Sequence, residues 1–336
     1  MARDIATPAA ATGAVRRWDL VLLAAIVAIA VLAGLLIDGF AGGRNAQFLL
    51  LDVVAIALVA LPLTLIVITG EIDLSVASTM GLTSAVLGQL WVAGLPLELA
   101  VVLVVALGAV LGAVNGVFVT RFALPSLAVT IGTLAAYRGL AFVVLGDRAV
   151  ADFPTDWTRA ATSTVGDGAL PWAIVGVALL AVVFGVVLHA TRFGRGLYAM
   201  GNNAEATAFA GIKVARTKLW LFVVSGAVSG LAGVYWTLRF ASARADNAVG
   251  LELAVVAAVL LGGVSIFGGR GSLLGVLAGV LLLGTLRNAL QLADVPADTL
   301  NVVTGGLLIA SVVVPNVAGM ARARWRKPPV ANQASQ

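Results

Sequence analysis

"QFLLLDVVAIALVALPLTLIVI" runs from Gln47 to Ile68 and carries one charge, Asp52. At 1.5 Å per helical residue, about 20 mainly apolar residues cross the ~30 Å hydrocarbon core of a bilayer. The segment therefore reads as a membrane helix, and the rest of the chain repeats it. Further apolar runs fall at 20–37, 74–93, 97–119, 124–145, 172–190, 217–239, 251–267, 271–291 and 299–315, giving ten in all. The expected fold is all-α, a polytopic membrane protein. Of the 336 residues 61% are hydrophobic and 11% charged, with mean hydropathy +1.06, where soluble domains are nearer 45–50% apolar and about 25% charged. The 38 glycines suit helices that pack backbone to backbone in lipid. The eighth run is short enough for a half-helix or a re-entrant segment. With no cysteine there is no disulfide or thiol chemistry.

Charge sets the orientation. The first run follows Arg16 and Arg17 and is too long for a signal-peptide core, so it reads as a retained helix. With both termini cytoplasmic, 14 of the 21 basic residues lie inside, 5 in outer loops and 2, Arg138 and Arg287, within helices, which satisfies the positive-inside rule. The expected organisation is a cytoplasmic N-terminus over 1–18, a transmembrane domain over 19–315 with a cytoplasmic loop over 191–218, and a basic, disordered tail over 316–336.

That inner loop contains "GRGLYAMGNNAEATAFAGIKVARTK" (194–218), the conspicuous polar segment of an apolar chain. Gly201, Asn202 and Asn203 read as a turn that supplies an N-cap, Glu205 lies in the first turn, where the helix dipole favours it, and Gly211 is placed to end the helix. A helix of about two turns is marginal alone and must pack on something, and Phe209 is exposed unless a partner covers it.

Four stretches carry a family resemblance: "GEIDLSVAS" (70–78), "LPSLAVTIGTLAAYRGLAFVV" (124–144), "GRGLYAMGNNAEATAFAGI" (194–212) and "LELAVVAAVLLGGVSIFGGRGSLLGVLAGVLL" (251–282). Together they resemble the permease subunits of ATP-binding-cassette importers of monosaccharides, the ribose, xylose and arabinose class. "GGVSIFGGRG" also resembles the rhamnose-type and autoinducer-2-type subgroups. Glu71 and Ala77 stand where the family usually has Gly, and Ala254 where many members have Asp. The resemblance implies about ten helices and three partners: a second permease, identical or paralogous, a cytoplasmic tandem ATPase and a periplasmic or lipid-anchored sugar-binding protein. It implies a multi-pass location in a bacterial plasma membrane, no nucleic-acid partner, and ATP and Mg on the ATPase rather than on this chain. It also places Gly201, Asn202, Asn203, Glu205, Phe209 and Gly211 in the helix that docks on that ATPase.

The candidate substrate path comprises Asp73, Ser75, Ser78, Thr130, Thr133 and Arg138, because sugars need hydrogen-bonding groups and a membrane offers few. Asp73 or Ser75 equally reads as a helix N-cap, and Thr130, Thr133 and Asn115 as residues that bond backbone or join helices. Asp52, Arg138 and Arg287 are charges inside apolar runs, explained by snorkelling, by mutual pairing or by a polar outer mouth. His189 reads as an interfacial residue, since a lone His makes a poor metal site. "GGRGS" (268–272) lacks the lysine of a phosphate loop and reads as a cytoplasmic turn. No catalytic or metal-binding constellation is visible. The alternative is a self-sufficient ion-coupled carrier, which needs carboxylates or His at the midplane; Asp52 and Asp73 are its candidates. "GAVLGAVNGVFVTRF" (108–122) echoes "GAVSGLAGVYWTLRF" (226–240), as an inverted repeat would.

Overall fold

The computed structural model describes residues 8–166 and 168–325. These form helices α1 (Pro8–Leu36), α2 (Gly43–Ile68), α3 (Val76–Val92), α4 (Leu97–Arg121), α5 (Ser126–Leu145), α6 (Thr155–Thr162), α7 (Trp172–Ala190), α8 (Arg192–Asn202), α9 (Ala204–Phe209), α10 (Val214–Phe240), α11 (Leu251–Leu261), α12 (Leu273–Leu292) and α13 (Ala297–Trp325). Among the described residues seven helices are long and apolar enough to cross a membrane: α1 from Trp18, α2, α4, α5, α7, α10 and α12. α3 and α11 are shorter apolar helices. Each of the ten apolar runs thus meets a helix. α13 continues through Pro315, where the last apolar run was read to end, to Trp325.

α2 sits at the centre. Every residue from Val53 to Ile68 is buried, so the helix has no lipid-facing side. It packs against α10, α12, α7 and α11. The outer helices differ. α7 buries Val177, Ala181, Phe184 and Leu188, one stripe at helical spacing, and exposes Leu179, Val182, Val183 and Val186. Lipid replaces water as the solvent of that second face, so the sequence is apolar all round and only the small or well-packed stripe marks the interior.

The most extensive pairing is α4 with α10. A Cβ added at Gly112 would strike the Phe222 carbonyl, and one at Gly108 the Gly226 carbonyl; one at Gly226 would in turn meet the Gly108 carbonyl. The two helices run antiparallel, so the stretches that echo each other, 108–122 and 226–240, meet only at their first residues, where Gly108 faces Gly226 and Gly230, and extend in opposite directions from there.

Two ends of the bundle are defined by contacts. At one, Val150 pairs with Ala243, the Gln47 amide donates to the Thr162 carbonyl (3.2 Å), and Trp91 Nε1 donates to the Asp152 carbonyl (3.3 Å). At the other, the Gly269 N–H donates to the Ile68 carbonyl (2.8 Å), Trp18 Nε1 to the Leu261 carbonyl (2.8 Å), and Lys218 pairs with Glu71. α11 has 11 residues, about 16 Å of helix, and does not span alone. It is the half-length segment expected of the eighth run. It stops at Leu261, before Gly263 at φ +83° turns the chain.

Gly112→Val is expected to lower the thermal unfolding temperature of the detergent-purified chain, by overpacking that costs about 1–3 kcal/mol. Gly132→Val, at a position with nothing within 4 Å of the added Cβ, leaves it nearly unchanged. Unfolding monitored by circular dichroism compares the two.

Candidate functional site

Three polar sites interrupt the apolar bundle. The first lies at the end where Lys218 meets Glu71. α8 has Thr191 as N-cap, its side chain accepting from the Gly194 N–H (3.2 Å), and buries Gly194, Gly196, Leu197 and Met200. The sequence reading placed Gly201 and Asn202 in a turn; they instead form the end of α8. Asn203 is the cap that was expected. Its Oδ1 accepts from the Ala206 N–H (2.9 Å) and opens α9, while Gly211 at φ +87° follows its end. Thr207 is the buried residue of α9, and its hydroxyl donates to the Asn203 carbonyl of the same turn (2.7 Å). Glu205 is exposed in the first turn, and Phe209 is 87% exposed.

α8 ties this unit to the bundle. The Tyr198 hydroxyl donates to the Gly271 carbonyl (2.8 Å), and burial pushes its pKa up to about 12, so it stays a donor at any physiological pH. Gly201 lies against the Ile68 carbonyl and Gly269, so close that a Cβ there would overlap both. The "GGRGS" turn, residues 268–272, is thus a seat for α8. His189 lies beside it, its Nε2 accepting from the Leu273 N–H (3.4 Å) at the start of α12.

The second site is the non-helical stretch between α2 and α3. Asp73, 2% exposed, accepts from the Ser75 N–H (3.0 Å), the Ser75 hydroxyl (2.7 Å) and the Ser225 hydroxyl (3.2 Å). Asn115 donates to the Ser75 hydroxyl (2.8 Å), and the Ser78 hydroxyl to the Ser75 carbonyl (2.8 Å). Thr130 donates to the Ser126 carbonyl (2.9 Å) and lies 3.3 Å from the Ile72 carbonyl; the Thr133 hydroxyl is one turn on, 3.4 Å from the Thr130 carbonyl. The carboxylate therefore organises an interrupted backbone, with no cationic partner among the described residues.

The third site is a cavity of about 390 Å³ at the opposite end, walled by α2, α10, α11, α12, α13 and the non-helical residues 241–250. Asp52, Trp236, Arg287, Gln291 and Asn301 line it. Asp52 pairs with Arg239, one of the five basic residues counted to the outer loops from sequence, which lies instead in the last turn of α10. Arg138 lines no part of the cavity. It braces the wall, donating to the carbonyls of Ala245 (2.9 Å) and Asn247 (2.7 Å). Asn247 in turn donates to the Ser84 hydroxyl (2.8 Å). Of the six path candidates, Asp73, Ser75 and Ser78 converge, Thr130 and Thr133 flank them, and none lines the cavity. Trp236, Gln291 and Asn301 were not singled out from sequence. Their only signal is polarity or aromaticity near the end of an apolar run. Among the described residues no cluster of His, Cys, Asp and Glu fits a metal ion.

Asp73→Ala is expected to destabilise by about 1–3 kcal/mol, since it leaves the buried Ser75 N–H unpaired, whereas Asp73→Asn keeps an acceptor there and costs less. Thermal unfolding of the two variants distinguishes a structural carboxylate from a dispensable one.

Comparison with known proteins places the chain. A family model described as the permease component of the branched-chain amino acid transport system matches residues 45–312. The chain is 36% identical over 312 residues to the L-arabinose ABC transporter permease protein AraH of Azospirillum brasilense, covering 91% of this chain and 90% of that one. It is 33% identical over 302 residues to the autoinducer 2 import system permease protein LsrD of Yersinia enterocolitica, covering 88% and 91%. The LsrD protein of Escherichia coli K12 is 34% identical over 307 residues, covering 90% and 92%. No solved structure matches. The chain belongs to this family of transport-system permease components.

Proposed function

We propose, from that membership, that the chain is the membrane-spanning permease subunit of an ATP-driven importer of a monosaccharide or a related small polyol-like solute. The relatives named for arabinose and autoinducer 2 support the substrate class. They are permeases of ABC and import systems, not ion-coupled carriers. The chain is a multi-pass protein of the bacterial inner membrane and hydrolyses nothing itself; ATP and Mg belong to a cytoplasmic tandem ATPase.

α1, α2, α3, α4, α5, α7, α10, α11 with residues 241–250, α12 and α13 then make ten membrane segments, with both termini cytoplasmic. The distribution of charge supports this. Arg121, Arg192, Arg195, Lys213, Arg216, Lys218 and Arg270 gather at the end that carries α8 and α9, against Arg44, Arg148, Arg159 and Arg244 at the other. The first is cytoplasmic and 191–218 is the coupling loop. A second permease copy, identical or paralogous, and a periplasmic or lipid-anchored sugar-binding protein complete the assembly. Solute released at the outer face meets the 390 Å³ cavity first and the Asp73, Ser75, Ser78, Thr130 and Thr133 region further in, with Arg138 bracing the wall between.

The observation that carries the reading is Phe209, 87% exposed on a short capped helix at the basic end of the bundle. An aromatic presented to water is an anchor for a soluble partner. The ATPase shifts the permease between outward- and inward-facing states only through differential contact with α9 and the residues around it: Gly201, Asn202, Asn203, Glu205 and Gly211.

In affinity purification from bacterial membranes in mild detergent, the intact chain is expected to bring down a two-domain ATPase. Phe209→Ala weakens that capture about 10-fold or more, the effect of losing an interface hot spot, while the membrane domain stays folded. Unchanged capture and uptake in this variant would sink the assignment of α9.

A further inference from the structure

The cavity at the outer end has a lining whose chemistry is specific. Asp52 is 45% exposed in its side chain, and its Oδ1 is held by Arg239, which is covered at 8%. The second carboxylate oxygen is left as an acceptor, with the charge already neutralised. Arg244 donates to both oxygens of Asp246 at 2.8 Å, a second neutral pair. Arg287 is different: it lines the same space, is half-buried, and forms no ion pair among the described residues. Gln291 and Asn301 add amides that both donate and accept. Asn288 adds nothing further, because its amide is engaged with that of Asn45 in two reciprocal bonds of 2.9 and 3.0 Å.

One wall is aromatic. Trp236 lines the cavity beside Phe240, with ring centroids 5.0 Å apart, and the Arg239 guanidinium lies 4.8 Å from the Phe240 centroid. At about 390 Å³ the space is at the small end of ligand cavities, which run from ~300 to ~1,000 Å³. It thus offers one rigid apolar face, several neutral donors and acceptors, and one uncompensated fork of N–H donors.

We propose that this cavity is a binding station for a single neutral polyol ring, built into the permease and independent of any soluble binding protein. The C–H face of the ring lies on Trp236. Arg287 donates to ring and hydroxyl oxygens, Gln291 and Asn301 exchange hydrogen bonds with the hydroxyls, and Asp52 accepts from one of them. A free amino acid fits less well: its carboxylate has Arg287, but its ammonium group meets a carboxylate already neutralised by Arg239, and an apolar side chain would strand the amides unpaired. The inference rests on the importer reading for the substrate class but assigns the site from its lining alone.

The test has two arms. Uptake of radiolabelled L-arabinose, D-ribose, D-xylose, D-glucose and L-leucine is measured in cells carrying the chain with its partner subunits. At least one sugar is expected to enter; if none does, the importer reading itself fails and the station with it. The imported sugar is then added to the purified full-length chain in lipid nanodiscs, without ATPase or binding protein, and saturation-transfer NMR reads direct binding. Wild-type chain is expected to transfer saturation to that sugar and not to L-leucine. Arg287→Gln weakens binding 10-fold or more, and Asn301→Ala, at an exposed position, weakens it severalfold. No transfer to the wild-type chain, or transfer undiminished in both variants, overturns the station and leaves the importer reading standing.

Discussion

A helix with no outer face dictates the arrangement around it. From Val53 to Ile68 every side of α2 is covered by protein, so α10, α12, α7 and α11 must each give it a packed stripe. Between helices in lipid there is little hydrophobic gain, and contact is favoured by close fit and by hydrogen bonds. Both are visible on α2. Tyr235 of α10 donates its hydroxyl to the Leu51 carbonyl (2.8 Å), and Arg239 one turn on pairs with Asp52. α10 is in turn held against α4 by glycines in direct backbone contact. The order of the bundle follows from enclosing one helix.

The same enclosure explains where backbone is allowed to leave the helix. Unpaired peptide groups cost several kcal/mol in hydrocarbon and persist only inside protein or beside water. The stretch between α2 and α3 is stabilised by a carboxylate, Asp73, which accepts from the N–H freed at Ser75. Residues 241–250 have the opposite need, and a cation meets it: Arg138 donates to the carbonyls of Ala245 and Asn247. Asp73 and Arg138 are each matched to the polarity of the backbone they serve.

Most of the helices were legible in the sequence, because an apolar run long enough to cross a bilayer has few other uses. The Asn203 cap and the exposed Phe209 were legible for a local reason, since both depend on a handful of neighbouring residues. α8 was not, because its two interior glycines mask a pattern that Thr191 as cap, with Leu197 and Met200 three apart on one face, would have revealed. The echo between 108–122 and 226–240 includes glycines that each helix presents to the other, Gly108 and Gly112 on α4 and Gly226 and Gly230 on α10. The cavity was least legible. Asp52 and Arg239 are 187 positions apart, and Trp236, Arg287 and Asn301 come from three helices. Nothing local marks residues that meet only when the bundle closes.

The junction of Gly201 with Ile68 and Gly269 has a mechanical consequence. At Gly201 no side chain separates α8 from the end of the enclosed helix, only backbone on backbone. Side chains act as soft springs, since rotamer changes take up small displacements. Here that compliance is missing. A push on α8 of even a fraction of an ångström goes straight into the last turn of α2, the one element that every neighbour grips. Stiffness at this point is a property of absent atoms, and any residue larger than glycine would exchange a rigid linkage for a loose or broken one.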